Sequence, residues 1–397
     1  MRLGLGGVPD PGPVMKAVTP RRDAARPAPN RRGRAPHRES GNGPAGRARA
    51  WLLNGIGGGR RYSREVLASV RERLVVWAYL LGWRVVCRVP ERWAQWVFRQ
   101  IADRAWRRRG PAVQQLEANL ARVTRAAHPD APATGLRELS RQGMRSYLRY
   151  WLEVFRLPVI PREQILGRMR CTGEEETAFA HMAAGRGVIF ALPHMGNWEH
   201  AGAWIVLRGA GKFTTVAERL RPASLFDRFV AFRESLGMEV LPHSGGASRF
   251  GVLAQRLRAG GLVCLLCERD LTGTGVEVEF FGEPARMMGG PAALAIHTGA
   301  ALMPVTLWYA GPDWGAHIHP EIPVPDGGDR AEQAALMTQQ LAQVFETAIA
   351  RHPEDWHMLQ KVFVADLDPG RLARQQADGE ADEDSSAWTA PDTTSSS

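Results

Sequence analysis

Five short apolar runs punctuate the middle of the chain, at 188–192, 213–217, 239–241, 262–267 and 302–308. Each is too short for a helix and rich in β-branched or aromatic residues, so each reads as a buried strand. Segments of helical length separate them, at 198–207, 226–236, 251–259 and 292–298. Gly237, Gly260 and Gly299 sit just past three of these, where a left-handed cap is expected, and Pro291 opens the last at a first-turn position. The alternation predicts an α/β fold with a mostly parallel central sheet flanked by helices, starting near Cys171. Upstream, 111–156 reads as helical, including Val113 to Leu120 and Met144 to Phe155.

The N-terminal part has a different texture. Leu74 to Trp83 is apolar, but Arg84 interrupts the run before Val85-Val86-Cys87. A spanning helix needs about 20 apolar residues, so this segment is expected to lie on a membrane surface. Its tryptophans would sit at headgroup level, with Arg71, Arg73, Arg84 and Arg88 reaching anionic phosphates. The Trp and Arg mixture returns at 92–99 and 106–109. The alternative is an amphipathic helix packed on the core.

Residues 1–60 are rich in Gly, Pro, Arg and Ala without apolar periodicity, which predicts disorder. No apolar stretch there precedes a small-residue cleavage site, so no secretory signal is expected. The expected organisation is a basic extension at 1–60 and a domain at 61–370. Within that domain, 61–156 would be helical and membrane-associating, and 157–370 the catalytic core. A disordered acidic tail follows at 371–397, with Asp378, Glu380, Asp382, Glu383 and Asp384.

Charge modifies this picture in one respect. The net charge is +10, but the first fifty residues hold eleven Arg or Lys against Asp10, Asp23 and Glu39, so eight of the ten excess charges lie there. The remainder is nearly neutral, and no nucleic-acid partner is expected. Cys87, Cys171, Cys264 and Cys267 are too scattered for a disulfide framework. Cys264 and Cys267 share a strand three residues apart, hence on opposite faces, which predicts core packing rather than a metal or redox pair.

The stretch Gly187 to Trp204 carries the candidate chemistry. A strand stops at Pro193-His194, Gly196-Asn197 supplies a turn and a helix N-cap, and Glu199 falls in the first helical turn. Glu199 is then expected to accept a proton from one ring nitrogen of His194, leaving the other as a base. With no Ser or Cys in the motif, such a base would activate a hydroxyl of the substrate. The plainer reading is a capping His beside an ordinary first-turn Glu. Glu218-Arg219 and Glu268-Arg269-Asp270 follow two other strands, and parallel strands would bring all three clusters to one sheet edge.

The block His194-Met195-Gly196-Asn197-Trp198-Glu199-His200-Ala201-Gly202 resembles the HX4(D/E) block of the lysophospholipid acyltransferase superfamily, in its lipid A lauroyl acyltransferase branch. Val216 to Leu220, Glu268 to Leu271 leading into Val278 to Gly282, and His352-Pro353 through Asp355-Trp356-His357-Met358-Leu359-Gln360 match the same branch in order. The set is most similar to actinobacterial phosphatidylinositol mannoside acyltransferases, over about 61–368.

The resemblance implies an acyl-coenzyme A co-substrate, no bound cofactor or metal, a membrane glycolipid acceptor, and a peripheral place on the cytoplasmic face of the plasma membrane. It makes His194 the general base, Glu199 the residue holding its ring, and Glu268 an acidic residue opposite the histidine, there to bind sugar hydroxyls or to help the base. A surface salt bridge to Arg269 is the plainer reading of Glu268. Arg219, Arg233 and Arg269 become candidates for phosphate or sugar contacts, with Thr274 and His297 where later substrate contacts fall. His200 and His243 read as structural, and Met287-Met288 as packing. Two other acceptor classes, another glycolipid and a lysophospholipid, stay open. So do a metal hydrolase built on His194, Glu199 and His200, and a non-catalytic membrane-binding protein.

Overall fold

A computed structural model describes residues 81–127, 135–217, 223–242, 246–270, 273, 275–367 and 370. The basic extension, the apolar run up to residue 80 and the acidic tail lie outside the described residues.

The chain opens with helices. Residues 81–88 form α1, followed by α2 (Glu91–Arg108), α3 (Pro111–Ala127) and α4 (Leu136–Arg156). On α2, buried Asp103 takes paired hydrogen bonds from Arg141 and Arg145 of α4 at 2.8–3.1 Å. The Arg145 bond, then that of Arg141, holds its carboxyl well below the usual range. Beneath it, Ala102, Val113, Leu116, Leu120 and Met144 form a small core.

The α/β part follows: α5 (Arg162–Arg168), β1 (Met169–Gly173), α6 (Glu175–Ala183), β2 (Val188–Leu192), α7 (Trp198–Ile205), β3 (Phe213–Ala217), α8 (Ala223–Ser235), β4 (Met238–Pro242), α9 (Gly246–Arg258), β5 (Leu262–Leu266), β6 (Val276–Phe280), β7 (Glu283–Met287), α10 (Gly290–Thr298), β8 (Ala301–Ala310), β9 (Asp313–Ile318) and α11 (Arg330–Arg351). The main sheet has the order β1-β9-β8-β2-β5-β3-β4. From β8 to β4 neighbours are parallel, while β9 runs antiparallel to β8 and carries β1 with it. The mostly parallel sheet is as expected. The reversed edge was not, because the 313–318 run, with Gly315 inside it, lacks the apolar continuity of the other strands.

Both faces of the sheet are covered, which is why the central strands read as unbroken apolar runs. In β2, Ile189 and Ala191 face one core with Val263, Leu302, Met337 and Phe345. Val188, Phe190 and Leu192 face the other, with Trp204, Phe213 and Trp314. Complete burial of such side chains contributes about 1.5–3 kcal/mol each. Cys264 packs on the second core and Cys267 in the first, on opposite faces as their spacing predicts. Both are free thiols, pushed up by burial.

No described helix is long and apolar enough to cross a membrane. The expectation of Trp83 at headgroup level is corrected. Its indole N–H donates to the Phe155 carbonyl at 2.7 Å, and its ring packs on Phe155 and Phe232. A tryptophan with a buried acceptor in reach satisfies its N–H inside the fold. Trp93, Trp96, Val97 and Ile101 of α2 do remain exposed.

Candidate active site

Register does the first part of the assembly. β2 and β5 are adjacent and parallel, with Val188 opposite Leu262 and Leu192 opposite Leu266. Two residues beyond those ends, His194 and Glu268 therefore arrive level with one another. Glu268 accepts the His194 backbone N–H at 2.6 Å, and both its oxygens lie 2.9 Å from ring Nδ1. The Glu268 side chain is fully buried, whereas the His194 ring is 27% exposed. Burial by itself would raise the Glu268 carboxyl. The charge of His194 and the hydrogen bonds from its ring and amide outweigh it and hold the carboxyl below its ordinary value. Nδ1 therefore carries the hydrogen, and Nε2 has no protein partner among the described residues.

The elbow after β2 fixes where that ring points. Gly196 has φ +59°, and a Cβ there would lie 2.8 Å from the Leu307 carbonyl carbon and the Trp308 nitrogen. Only glycine suits both constraints. Met195 is buried and forms an isolated bridge with Trp356. On either side, Gly196 N–H donates to the Asp355 carbonyl at 2.9 Å and His357 N–H to the His194 carbonyl at 2.7 Å. Asn197 caps α7 by accepting from His200 N–H, and its amide donates to Glu153 at 2.7 Å. The Trp198 ring meets His194 edge-on, centroids 5.5 Å apart.

The expectation that Glu199 holds the His194 ring is corrected. Glu199 is 1% exposed and forms an ion pair with Arg233 of α8, whose Nε lies 3.1 Å from both its oxygens. The Tyr150 hydroxyl approaches at 3.5 Å. At the second position of α7 the side chain turns toward α8 and away from the elbow. The same pair corrects Arg233: its guanidinium grips Glu199 and lies over the Phe229 ring, so it is committed to protein rather than to a phosphate. Glu268 takes the role expected of Glu199, and it is no surface partner of Arg269.

His297 is also corrected. It is exposed at the end of α10, against Arg258 and Phe250, at the edge where β5 and β8 begin, opposite the end that carries His194. Arg269 adjoins Glu268 in sequence and is half-buried. Glu218, Arg219, His243 and Thr274 lie outside the described residues. His200 is structural, as expected: fully buried, stacked on Trp314 at 4.2 Å, and pushed down to about 3 by burial. With His200 facing the core and Glu199 tied to Arg233, the three residues of the hydrolase reading do not converge. Among the described residues the one grouping of metal-ligand type is His352, Glu354 and Asp355, whose Asp355 oxygens are already engaged.

Beside the elbow an apolar cavity of about 80 Å³ runs between α7 and the sheet, lined by Leu192, Trp198, Gly202, Phe213, Met238 and Leu266 among others. Trp198 of the motif lines it, and a Cβ on Gly202 would meet Met238 at 2.7 Å and Phe213 at 3.0 Å. Of the residues that surround the elbow, Tyr150, Glu153 and Ser146 went unnoticed in the sequence, while Asp355 and His357 stood in a matched motif without a role assigned to them. Ser146, Tyr150 and Glu153 recur at four- and three-residue spacing on α4, a helical face of polar residues that marks something buried there.

Residues 63–364 match the family described as bacterial lipid A biosynthesis acyltransferase. A phosphatidylinositol mannoside acyltransferase of Mycobacterium tuberculosis is 46% identical over 321 residues, 80% of this chain and 97% of the relative. One of Mycolicibacterium smegmatis is 48% identical over 297 residues, 75% of this chain and 93% of the relative. The His–Glu pair at the sheet edge thus lies inside a region shared end to end with known enzymes, and the chain belongs to the bacterial lipid A biosynthesis acyltransferase family.

Proposed function

We propose that this acyltransferase moves a long fatty acyl chain from acyl-coenzyme A to a mannose hydroxyl of a phosphatidylinositol mannoside, with His194 as general base. The observation that carries the reading is the His194–Glu268 pair, a half-buried ring whose Nδ1 is tied to a buried carboxylate and whose Nε2 has no protein partner among the described residues. In this mechanism Nε2 takes the proton of the acceptor hydroxyl while its oxygen attacks the thioester carbonyl. Glu268 keeps the ring in the required tautomer and stabilises the imidazolium. When the C–S bond breaks, the same proton passes to the leaving thiolate, giving an ester and free coenzyme A. Backbone amides at the start of α7, near Asn197 and Trp198, are candidate donors to the tetrahedral oxyanion. The apolar cavity beside Trp198 is suited to the proximal methylenes of the acyl chain. No step calls for a metal or a bound cofactor.

The names of the relatives support the mannoside acceptor, and Arg219, Arg269 and Thr274 stay candidates for its polar contacts. An anionic membrane surface is the proposed setting, at the cytoplasmic face. The exposed stripe of Trp93, Trp96, Val97 and Ile101 beside Arg92, Arg99 and Arg104 supports it. The deciding assay presents purified protein with labelled palmitoyl-coenzyme A and a panel of lipid extracts, products read by mass. Acylated phosphatidylinositol mannoside is expected with the native chain and not with His194→Ala. Full activity of that variant would remove the base, and acylation of another glycolipid or a lysophospholipid alone would replace the acceptor.

A further inference from the structure

The segment Asp355-Trp356-His357 belongs to the matched motifs but has no part in the chemistry above. Its side chains form a closed polar group behind the elbow. Ser146 of α4 donates to Asp355 Oδ1 at 2.6 Å, and its oxygen lies 2.8 Å from His357 Nε2. Because the hydroxyl hydrogen goes to Asp355, His357 Nε2–H donates to Ser146, which makes His357 a neutral ring with Nδ1 unprotonated. The other Asp355 oxygen accepts Tyr309 N–H at 2.8 Å. All three side chains are buried.

Two routes lead from this group to the reacting ring. Along the backbone, Asp355 and His357 make the two hydrogen bonds that hold Gly196 and His194. Through the rings, His357 packs on Trp198 at 6.1 Å, and Trp198 on His194 at 5.5 Å. α4 and β8 thereby fix the elbow from the side opposite Glu268. Glu268 sets the tautomer of His194 and holds its backbone N–H, while residues 355–357 hold the elbow at Gly196 and at the His194 carbonyl.

We infer that Asp355, tied to Ser146 and Tyr309, is a positioning residue that holds the His194 elbow at its working distance from the acceptor hydroxyl. The inference rests on His194 being the base. A displacement of about 1 Å at a reacting group costs on the order of 10²-fold in rate, so removing the tie lowers kcat and leaves binding of the acyl donor largely intact. Ser146 and Asp355 also line an open cavity of about 580 Å³. Water can enter from there when either side chain is truncated, which favours survival of the fold.

The test uses the full chain and four variants: Asp355→Ala, Asp355→Asn, Ser146→Ala and His194→Ala. Asn keeps the shape of the carboxylate, accepts Tyr309 N–H through its oxygen and donates its amide to Ser146. Folding is followed by the thermal midpoint, and kcat and KM for palmitoyl-coenzyme A are measured for the folded fraction. The carbethoxylation rate of His194 is read by peptide mass against exposed His297 as internal reference. Expected are a fall in kcat of about 10²-fold for Asp355→Ala and Ser146→Ala with KM within threefold, a changed His194-to-His297 reactivity ratio, and recovery to within about tenfold in Asp355→Asn. Folded Asp355→Ala with native kcat and native ratio would overturn the inference, as would a loss that merely follows the folded fraction. Should Asp355→Ala not fold, Ser146→Ala decides alone by the same criteria. An inactive His194→Ala beside fully active Asp355 and Ser146 variants would reject the positioning role and keep the base. A fully active His194→Ala would reject both.

Discussion

Replacing Glu268 with Gln removes one charge and almost no volume, which makes it a sharp probe of the pair. The amide oxygen still accepts His194 N–H, now seen at 2.6 Å, so the strand ends stay together. What disappears is the anion that faces Nδ1 with both oxygens at 2.9 Å from a fully buried position. In the proposed mechanism that anion stabilises the imidazolium formed as the acceptor loses its proton. Loss of such an orienting carboxylate costs roughly 10²–10⁴ in kcat, or about 2.7–5.5 kcal/mol of barrier. The companion variant Glu199→Gln behaves oppositely. It leaves the Arg233 guanidinium, 12% exposed, without its counter-charge. Breaking such a pair costs about 3–5 kcal/mol of stability, some 6–10 °C in thermal midpoint for a domain of this size. The assay pairs initial rates of acyl transfer with thermal unfolding for both proteins. The reasoning fails if Glu268→Gln keeps a native rate, or if Glu199→Gln loses rate at a native midpoint, which would return the ring to Glu199.

Acid lability follows from His200 and His357, each buried and held down to about 3 against an unfolded value near 6.5. The unfolded chain binds the extra protons between those values, so stability falls as pH drops from 6.5 toward 3, by roughly 2 kcal/mol per ring at pH 5. Asp355, pushed up to about 6 chiefly by burial, works the other way by about 1 kcal/mol, so a net loss is expected in denaturant titrations at pH 7 and 5. Equal midpoints would contradict it. Gly196→Ala meets both a positive φ and the backbone of β8; a loss of at least about 1–3 kcal/mol together with inactivity is expected, and a native melting curve would be inconsistent with the elbow described. In Gly202→Ala the new methyl sits 2.7 Å from the Met238 methyl and 3.0 Å from Phe213, narrowing the apolar cavity. Palmitoyl-coenzyme A should then lose ground to decanoyl-coenzyme A in direct competition, and an unchanged preference would place the acyl chain elsewhere.

The parallel strands were legible because burial on both faces leaves runs such as Val188–Leu192 without polar interruption. The meeting of His194 and Glu268 was only half legible. Strand ends could be read, but that β2 neighbours β5 in register is a tertiary fact, and without it the nearer carboxylate, Glu199, looked the better partner. Local spacing says how far apart two residues lie on a helix and not which neighbour, here Arg233, will claim one of them. α11 was overlooked although Asp329 and Glu332 form a capping box ahead of Leu341, Phe345 and Ile349 at helical spacing. Trp83 carries the same amphipathic signature whether its N–H meets a lipid interface or the Phe155 carbonyl.

On α3, the Asn119 amide donates to the carbonyls of Met358 and Gln360, and Arg122 joins Glu283 to Asp366. An early helix thus clasps one of the last described stretches, the same stretch whose residues 355–357 back the reacting elbow. During synthesis His194 emerges long before Glu268 or residues 355–357, so a nascent chain arrested short of residue 360 carries His194 on an elbow without those braces. Activity should switch on only once residue 360 has been made, and two complementary fragments cut anywhere between 194 and 355 should be silent until mixed.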